Sequence, residues 1–93
     1  MAPLLSSREI EERSQMLQGW SVDEQTLRTT RKFKDFIQAI DFINKLVEPA
    51  ESAGHHPDIE ISYNTVKITL TTHDAGGLTQ KDFELAQVIS QIS

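Results

Sequence analysis

The spacing of apolar positions changes along the chain, and each change predicts an element. Ile10 and Leu17, with Met16 beside it, form a thin apolar stripe that follows Ser6-Ser7-Arg8-Glu9. That tetrad is a capping-box pattern, in which the Ser6 hydroxyl accepts from the amide three residues on and Glu9 reaches back to the cap. A first helix is predicted over about Ser7 to Leu17, ended by Gly19 just past its last turn. Trp20 and Val22 then alternate with Ser21, and Leu27, Thr29, Arg31 and Phe33 alternate with polar residues, the period of half-buried strands. The short polar link Asp23-Glu24-Gln25 makes this pair a hairpin.

From about Lys34 to Ser52 the period becomes helical. Phe36, Ile37, Ile40, Ile43 and Val47 share one face, and Ala39, Phe42 and Leu46 widen it to an arc of about 220° at roughly 100° per residue. A surface helix ordinarily carries a stripe of roughly 100° or more, and one sheet does not cover the greater width. The edge at Phe42 and Leu46 is therefore a candidate subunit surface, the alternative being contact with the first and last helices of the same chain. Pro49 lacks the N–H that the helix ladder needs and is expected to kink or thin the last turn.

Ile59, Ile61 and Tyr63 then alternate with Asp58, Glu60 and Ser62, and Val66, Ile68 and Leu70 alternate with Lys67, Thr69 and Thr71. Tyr63-Asn64-Thr65 turns the chain between them, with asparagine suited to a positive φ. If the second strand stays regular, parity carries His73 onto the polar face of Thr69 and Thr71. Asp74-Ala75-Gly76-Gly77 reads as a flexible loop. Thr79 starts a last helix, in which Leu85, Val88, Ile89 and Ile92 stand at i, i+3, i+4 and i+7. Two hairpins, each apolar on one side, predict an α+β fold of order α-β-β-α-β-β-α, a four-stranded antiparallel sheet with helices packed on one face.

Ninety-three residues make one domain, 1–93, with a modest core that association with copies of itself would help. The absence of cysteine excludes disulfides, cysteine-type zinc sites and thiol nucleophiles. Met1 to Ile10 lacks the apolar run of a signal peptide, and no stretch approaches the roughly 20 apolar residues of a membrane span. A cytoplasmic location with no membrane partner is expected. A net charge of −5 argues against nucleic acid as the partner. The one basic cluster, Arg28, Arg31, Lys32 and Lys34, reads as the solvated decoration of a strand and a helix start.

Chemistry concentrates between Glu51 and Asp82, a stretch that holds all three histidines, His55, His56 and His73. Imidazole, with an unperturbed pKa of roughly 6.5, exchanges protons near neutrality. Three histidines can also hold a catalytic zinc, but adjacent ligands fit one tetrahedral ion poorly and the spacing matches no helical metal motif, so no metal is expected. His55 and His56 precede Pro57, which favours an extended backbone at His56. Neighbouring side chains of an extended chain point apart, so a site shared by both needs a local bend. Thr79-x-x-Asp82 is a second capping pattern, and a carboxylate fixed there could also orient His73 or its neighbours. On spacing alone, Glu51 is a solvated helix-end residue and Tyr63 a strand residue at a turn.

The run Glu51, His55-His56-Pro57, Tyr63, His73, Asp82 resembles the signature of the pterin-4a-carbinolamine dehydratases at every motif position. The resemblance implies an α-β-β-α-β-β-α fold and a hydro-lyase that takes 4a-hydroxytetrahydropterin to quinonoid dihydropterin in tetrahydrobiopterin recycling. An aromatic amino acid hydroxylase would act in the same pathway, and the enzyme would need no metal or organic cofactor. It further implies His56 and His73 for proton transfers, His55 for pterin binding and assistance at the hydroxyl, and Asp82, Glu51 and Tyr63 as orienting or substrate-binding residues. A dimer or tetramer formed through the 34–52 helix is implied as well. Some members carry an aromatic residue where this chain has Ile59, which bears on pterin affinity. The alternative is a non-catalytic interaction protein on the same fold, either a transcriptional dimerisation cofactor or an enzyme-assembly factor, which would not require the histidines.

Overall fold

The computed structural model describes residues 3–92; Met1, Ala2 and Ser93 lie outside it. The chain runs α1 (Ser7–Ser14), β1 (Trp20–Asp23), β2 (Thr26–Lys32), α2 (Phe36–Ala53), β3 (Asp58–Ser62), β4 (Thr65–Leu70), a 3₁₀ turn (His73–Ala75) and α3 (Gln80–Ser90). The strands form one antiparallel sheet of order β1-β2-β4-β3, so the second hairpin is turned to put β4 beside β2 and leave β3 at an edge. Leu27, Val66, Ile68 and Leu70 on one face of the sheet pack with Ala39, Phe42 and Leu46 of α2 and Phe83, Leu85, Ala86 and Ile89 of α3. The expected α+β architecture, with helices over one face of a four-stranded antiparallel sheet, is the one observed.

Both capping boxes form, Ser6 with Glu9 and Thr79 with Asp82. The first helix is shorter than expected. After Ser14 the amides of Met16 and Leu17 bond to carbonyls three residues back, tightening the chain into turns before Gly19, whose φ of +82° reverses it towards β1. Met16 projects into solvent, while Leu17 packs against the core.

Two further expectations need correction. The buried face of α2 is Ala39, Phe42, Leu46 and Ala50, so the Phe42–Leu46 edge is core and not a subunit surface. The apolar side chains left in the open on α2 are Phe36, Ile37 and Val47. Pro49 lies inside the helix, which continues to Ala53. Arg31, read as a surface charge, instead reaches under the end of α3. Its guanidinium donates to the carbonyls of Ile92 at 2.6 Å, Ile89 at 3.1 Å and Ser90 at 3.3 Å, and lies 4.7 Å from the centre of the Phe42 ring. Those carbonyls lie at a helix C-terminus, where acceptors outnumber backbone donors, and burial lowers the Arg31 pKa from its ordinary value.

The β3–β4 turn takes its positive φ at Tyr63 (53°) and not at Asn64. Asn64 is held elsewhere: its side-chain amide donates to the Phe33 carbonyl and its own carbonyl accepts from the Phe33 N–H, both at 2.8 Å. In α3, Val88 faces solvent while Phe83 and Ala86 join Leu85 and Ile89 in the core.

Candidate active site

The site begins at the C-terminus of α2. Gly54 adopts the left-handed conformation (φ 62°), its N–H bonds to the Glu51 carbonyl at 3.2 Å, and the His55 N–H bonds to the Ala50 carbonyl at 3.1 Å. These two bonds are the pair that satisfies the last carbonyls of a helix ending on glycine. They supply the bend that the sequence could not, and they fix where the two imidazoles go. His55 turns inward, where its Nε2 meets Asp82 Oδ1 at 2.6 Å, with side-chain exposures of 10% and 0%. His56 turns outward and back along the helix, where its Nε2 meets Glu51 Oε2 at 2.5 Å, with exposures of 61% and 68%.

Asp82 is held from three sides. Besides His55, it accepts at Oδ2 from the Thr72 hydroxyl at 2.8 Å and from the Thr79 N–H at 2.9 Å. Thr72 and Thr79 also share a hydroxyl–hydroxyl bond of 2.8 Å. All of these groups are buried, as such a network requires. Asp82 thus joins three segments: the turn after α2, the start of α3, and the end of β4. The imidazole that Asp82 meets is that of His55, not that of His73.

A correction of parity lies here. Strand β4 ends at Leu70, and Thr72 points into the core to reach Asp82 and pairs with Gly77 across a short loop. His73 therefore opens a 3₁₀ turn and is not a continuation of the strand. It is exposed, its side chain makes no hydrogen bond among the described residues, and it directly follows the residue that holds Asp82. Strand β3 starts at Asp58, opposite Thr69, and β4 ends at Leu70, so the tandem pair just before β3 and His73 just after β4 belong to one end of the sheet. Tyr63 belongs to the other. Five strand residues separate it from Pro57, roughly 20 Å at the rise of a β-strand, and its side chain is exposed.

A recess of about 280 Å³ opens beside His56, lined by apolar residues of α2, among them Val47 and Ala50, and by Glu51, Pro57 and Ile59. Its lining is mostly apolar, suited to the flat side of a small ring system with the imidazole at its rim. Thr72 is the one member of the buried network that the sequence did not reveal; its only signal was a threonine on the core parity of β4 beside a histidine. Among the described residues no three His, Cys, Asp or Glu side chains gather closely enough to hold a metal ion, and no helix is long and apolar enough to cross a membrane.

Known proteins resemble this chain over nearly its whole length. A protein from Nostoc punctiforme, provisionally named a pterin-4-alpha-carbinolamine dehydratase, is 72% identical over 92 residues, covering 99% of each chain. The crystal structure of a transcriptional coactivator/pterin dehydratase from Brucella melitensis superposes with a TM-score of 0.87 at 35% identity, over 92% of this chain and 94% of that one. A pterin dehydratase-like RuBisCO assembly factor of the alpha-carboxysome shares the fold, with a TM-score of 0.59 at 20% identity over 80% of this chain and 89% of its own. The family profile described as pterin 4 alpha carbinolamine dehydratase matches residues 3–92, and the chain belongs to that family.

Proposed function

We propose that this protein dehydrates 4a-hydroxytetrahydropterin to quinonoid dihydropterin by histidine acid–base catalysis, as a step in tetrahydrobiopterin recycling. The chemistry is an elimination without net redox change. A base takes the proton from N5, the N5 electrons form the C4a=N5 double bond, and the C4a–O bond breaks as an acid protonates the departing hydroxyl, which leaves as water. Groups that titrate near the working pH serve both steps best, and each well-placed acid or base contributes about 10² to 10⁴ in rate.

The observation that carries this reading is the pair of imidazole–carboxylate contacts at consecutive residues, His55–Asp82 and His56–Glu51, with His73 at the same end of the sheet. His56 and His73, both exposed, are assigned the proton transfers. His55 is assigned to pterin binding and assistance at the hydroxyl, with Asp82 and Glu51 holding their imidazoles in place. Tyr63, at the far end of β3, is given no step. The small apolar Ile59 beside His56 leaves one wall of the recess without the aromatic surface that some family members carry. The substrate would be supplied by an aromatic amino acid hydroxylase. Association into a dimer or tetramer would use the open apolar residues Phe36, Ile37 and Val47 of α2.

The same open residues favour a second reading, a binding protein that uses α2 and not the histidines. The two are separated by generating the 4a-carbinolamine with a hydroxylase and following its decay by ultraviolet absorbance. Dehydratase activity requires faster decay when folded protein is added; decay at the spontaneous rate favours the binding protein.

A further inference from the structure

The hydrogen bonds around Asp82 have only one consistent direction. The Thr79 N–H, 2.9 Å from Oδ2, is a backbone donor and has no other role. Oδ2 must therefore accept, from Thr79 and also from the Thr72 hydroxyl at 2.8 Å. Having given its proton to Asp82, Thr72 offers only lone pairs to Thr79 Oγ1, so the Thr79 hydroxyl donates to Thr72 and accepts in turn from the Lys81 N–H at 3.3 Å. Every proton in the chain points towards the carboxylate. As a carboxylate, Asp82 can then only accept at its other oxygen, Oδ1, from His55 Nε2 at 2.6 Å. The ring keeps 10% side-chain exposure, and among the described residues no buried side-chain nitrogen or oxygen lacks a partner. Nδ1, which has no hydrogen-bond partner among the described residues, is where the ring meets the outside.

We propose that Asp82, locked in orientation by Thr72 and the Thr79 backbone, is a positioning residue that fixes His55 as the Nε2–H tautomer, so that Nδ1 is the nitrogen presented to the pterin. This rests on the dehydratase reading only for the identity of the ligand. Nδ1 then accepts a proton when the ring is neutral and donates one when it is charged, so a single atom of His55 serves in either direction.

The same lock makes an unusual demand on Asp82→Asn, which preserves shape. The two donors at the Oδ2 position, one of them unable to reverse, hold the amide oxygen there. The amide NH₂ must then occupy the Oδ1 position and donate to Nε2, driving the His55 proton to Nδ1. The tautomer should invert without unfolding the site.

The test is long-range ¹H–¹⁵N correlation spectroscopy of protein labelled at the histidine ring nitrogens, at a pH where the rings are neutral, with His55 identified by the signals absent from His55→Gln. The expected result is a protonated Nε2 and bare Nδ1 in the wild type and the reverse in Asp82→Asn, with decay of the 4a-carbinolamine slowed about 10²-fold or more and an unchanged circular dichroism spectrum. A wild-type ring protonated at Nδ1, or an Asp82→Asn ring still protonated at Nε2, overturns the proposal. The wild-type spectrum decides alone if Asp82→Asn does not fold. The expected tautomers in a protein that leaves carbinolamine decay unchanged would uphold the lock and sink the dehydratase reading instead.

Discussion

His55–Asp82 and His56–Glu51 are the same chemical pair built twice in succession, once in the core and once in water. The buried carboxylate accepts three hydrogen bonds from three segments of the chain, whereas the exposed one meets its histidine across a single helix end. Burial multiplies the consequence of losing a partner, because a group stranded without water retains its full desolvation penalty. An exposed pair forfeits little, since solvent replaces what is removed. The inner pair therefore serves the fold; under the proposed function it also aims an imidazole, while the outer pair would leave His56 free to adjust to a ligand.

Removing one carboxylate at a time tests that contrast. Asp82→Ala strands His55, Thr72 and the first turn of α3 together, and is expected to lower the unfolding free energy by about 3 kcal/mol, a large part of the roughly 5–15 kcal/mol that holds a domain together. Glu51→Ala should change it by less than about 1 kcal/mol. Urea denaturation of the two variants checks both, and equal losses would erase the distinction.

The contrast sharpens at Thr72, which the inner pair uses and the outer pair does not. Thr72→Val removes one donor from Asp82 and is expected to destabilise by about 1–2 kcal/mol, with Thr72→Ser recovering most of it. Salt provides a milder separation. Raising ionic strength should weaken the contribution of the exposed His56–Glu51 contact and leave that of His55–Asp82 nearly unchanged, read as the salt dependence of each carboxylate variant's stability difference from wild type.

Glu9 supplies the smallest effect and a reference for a carboxylate whose only work is capping. Hydrogen bonds from the Ser6 backbone and hydroxyl hold its carboxyl below its ordinary value of 4.5. A depressed carboxyl stabilises the folded state above its unfolded pKa, and the contribution is lost as pH falls through the folded one. Helical signal from α1 should accordingly decline on acidification below about pH 4.5, and Glu9→Gln should remove that part of the decline.

What the sequence made legible was local. The two capping boxes depend on residues three apart, and the apolar parity of Val66, Ile68 and Leu70 depends on one strand, so both could be read directly. The inward face of α2 could not, because apolar residues lie over much of its circumference and only the positions of the sheet and α3 select Phe42 and Leu46 over Phe36 and Val47. Arg31 shares the parity of Leu27 and Thr29 because its partners are carbonyls some 58 to 61 residues away. The strand ends before His73 because Thr72 is drawn to a carboxylate ten residues on. The divergence of His55 from His56 needs the left-handed Gly54 and an aspartate 27 residues further along. The site residues were visible as a motif; which carboxylate serves which imidazole was a property of the folded chain.

The central claim is that exposed imidazoles from two segments perform the proton transfers, and single-residue kinetics tests it most directly. The rate of 4a-carbinolamine dehydration is measured for wild type, His56→Ala and His73→Ala, each with a wild-type urea midpoint. The account predicts losses of about 10² to 10⁴ for either variant and a pH dependence in the histidine range. Variants that fold and turn over like wild type would contradict it.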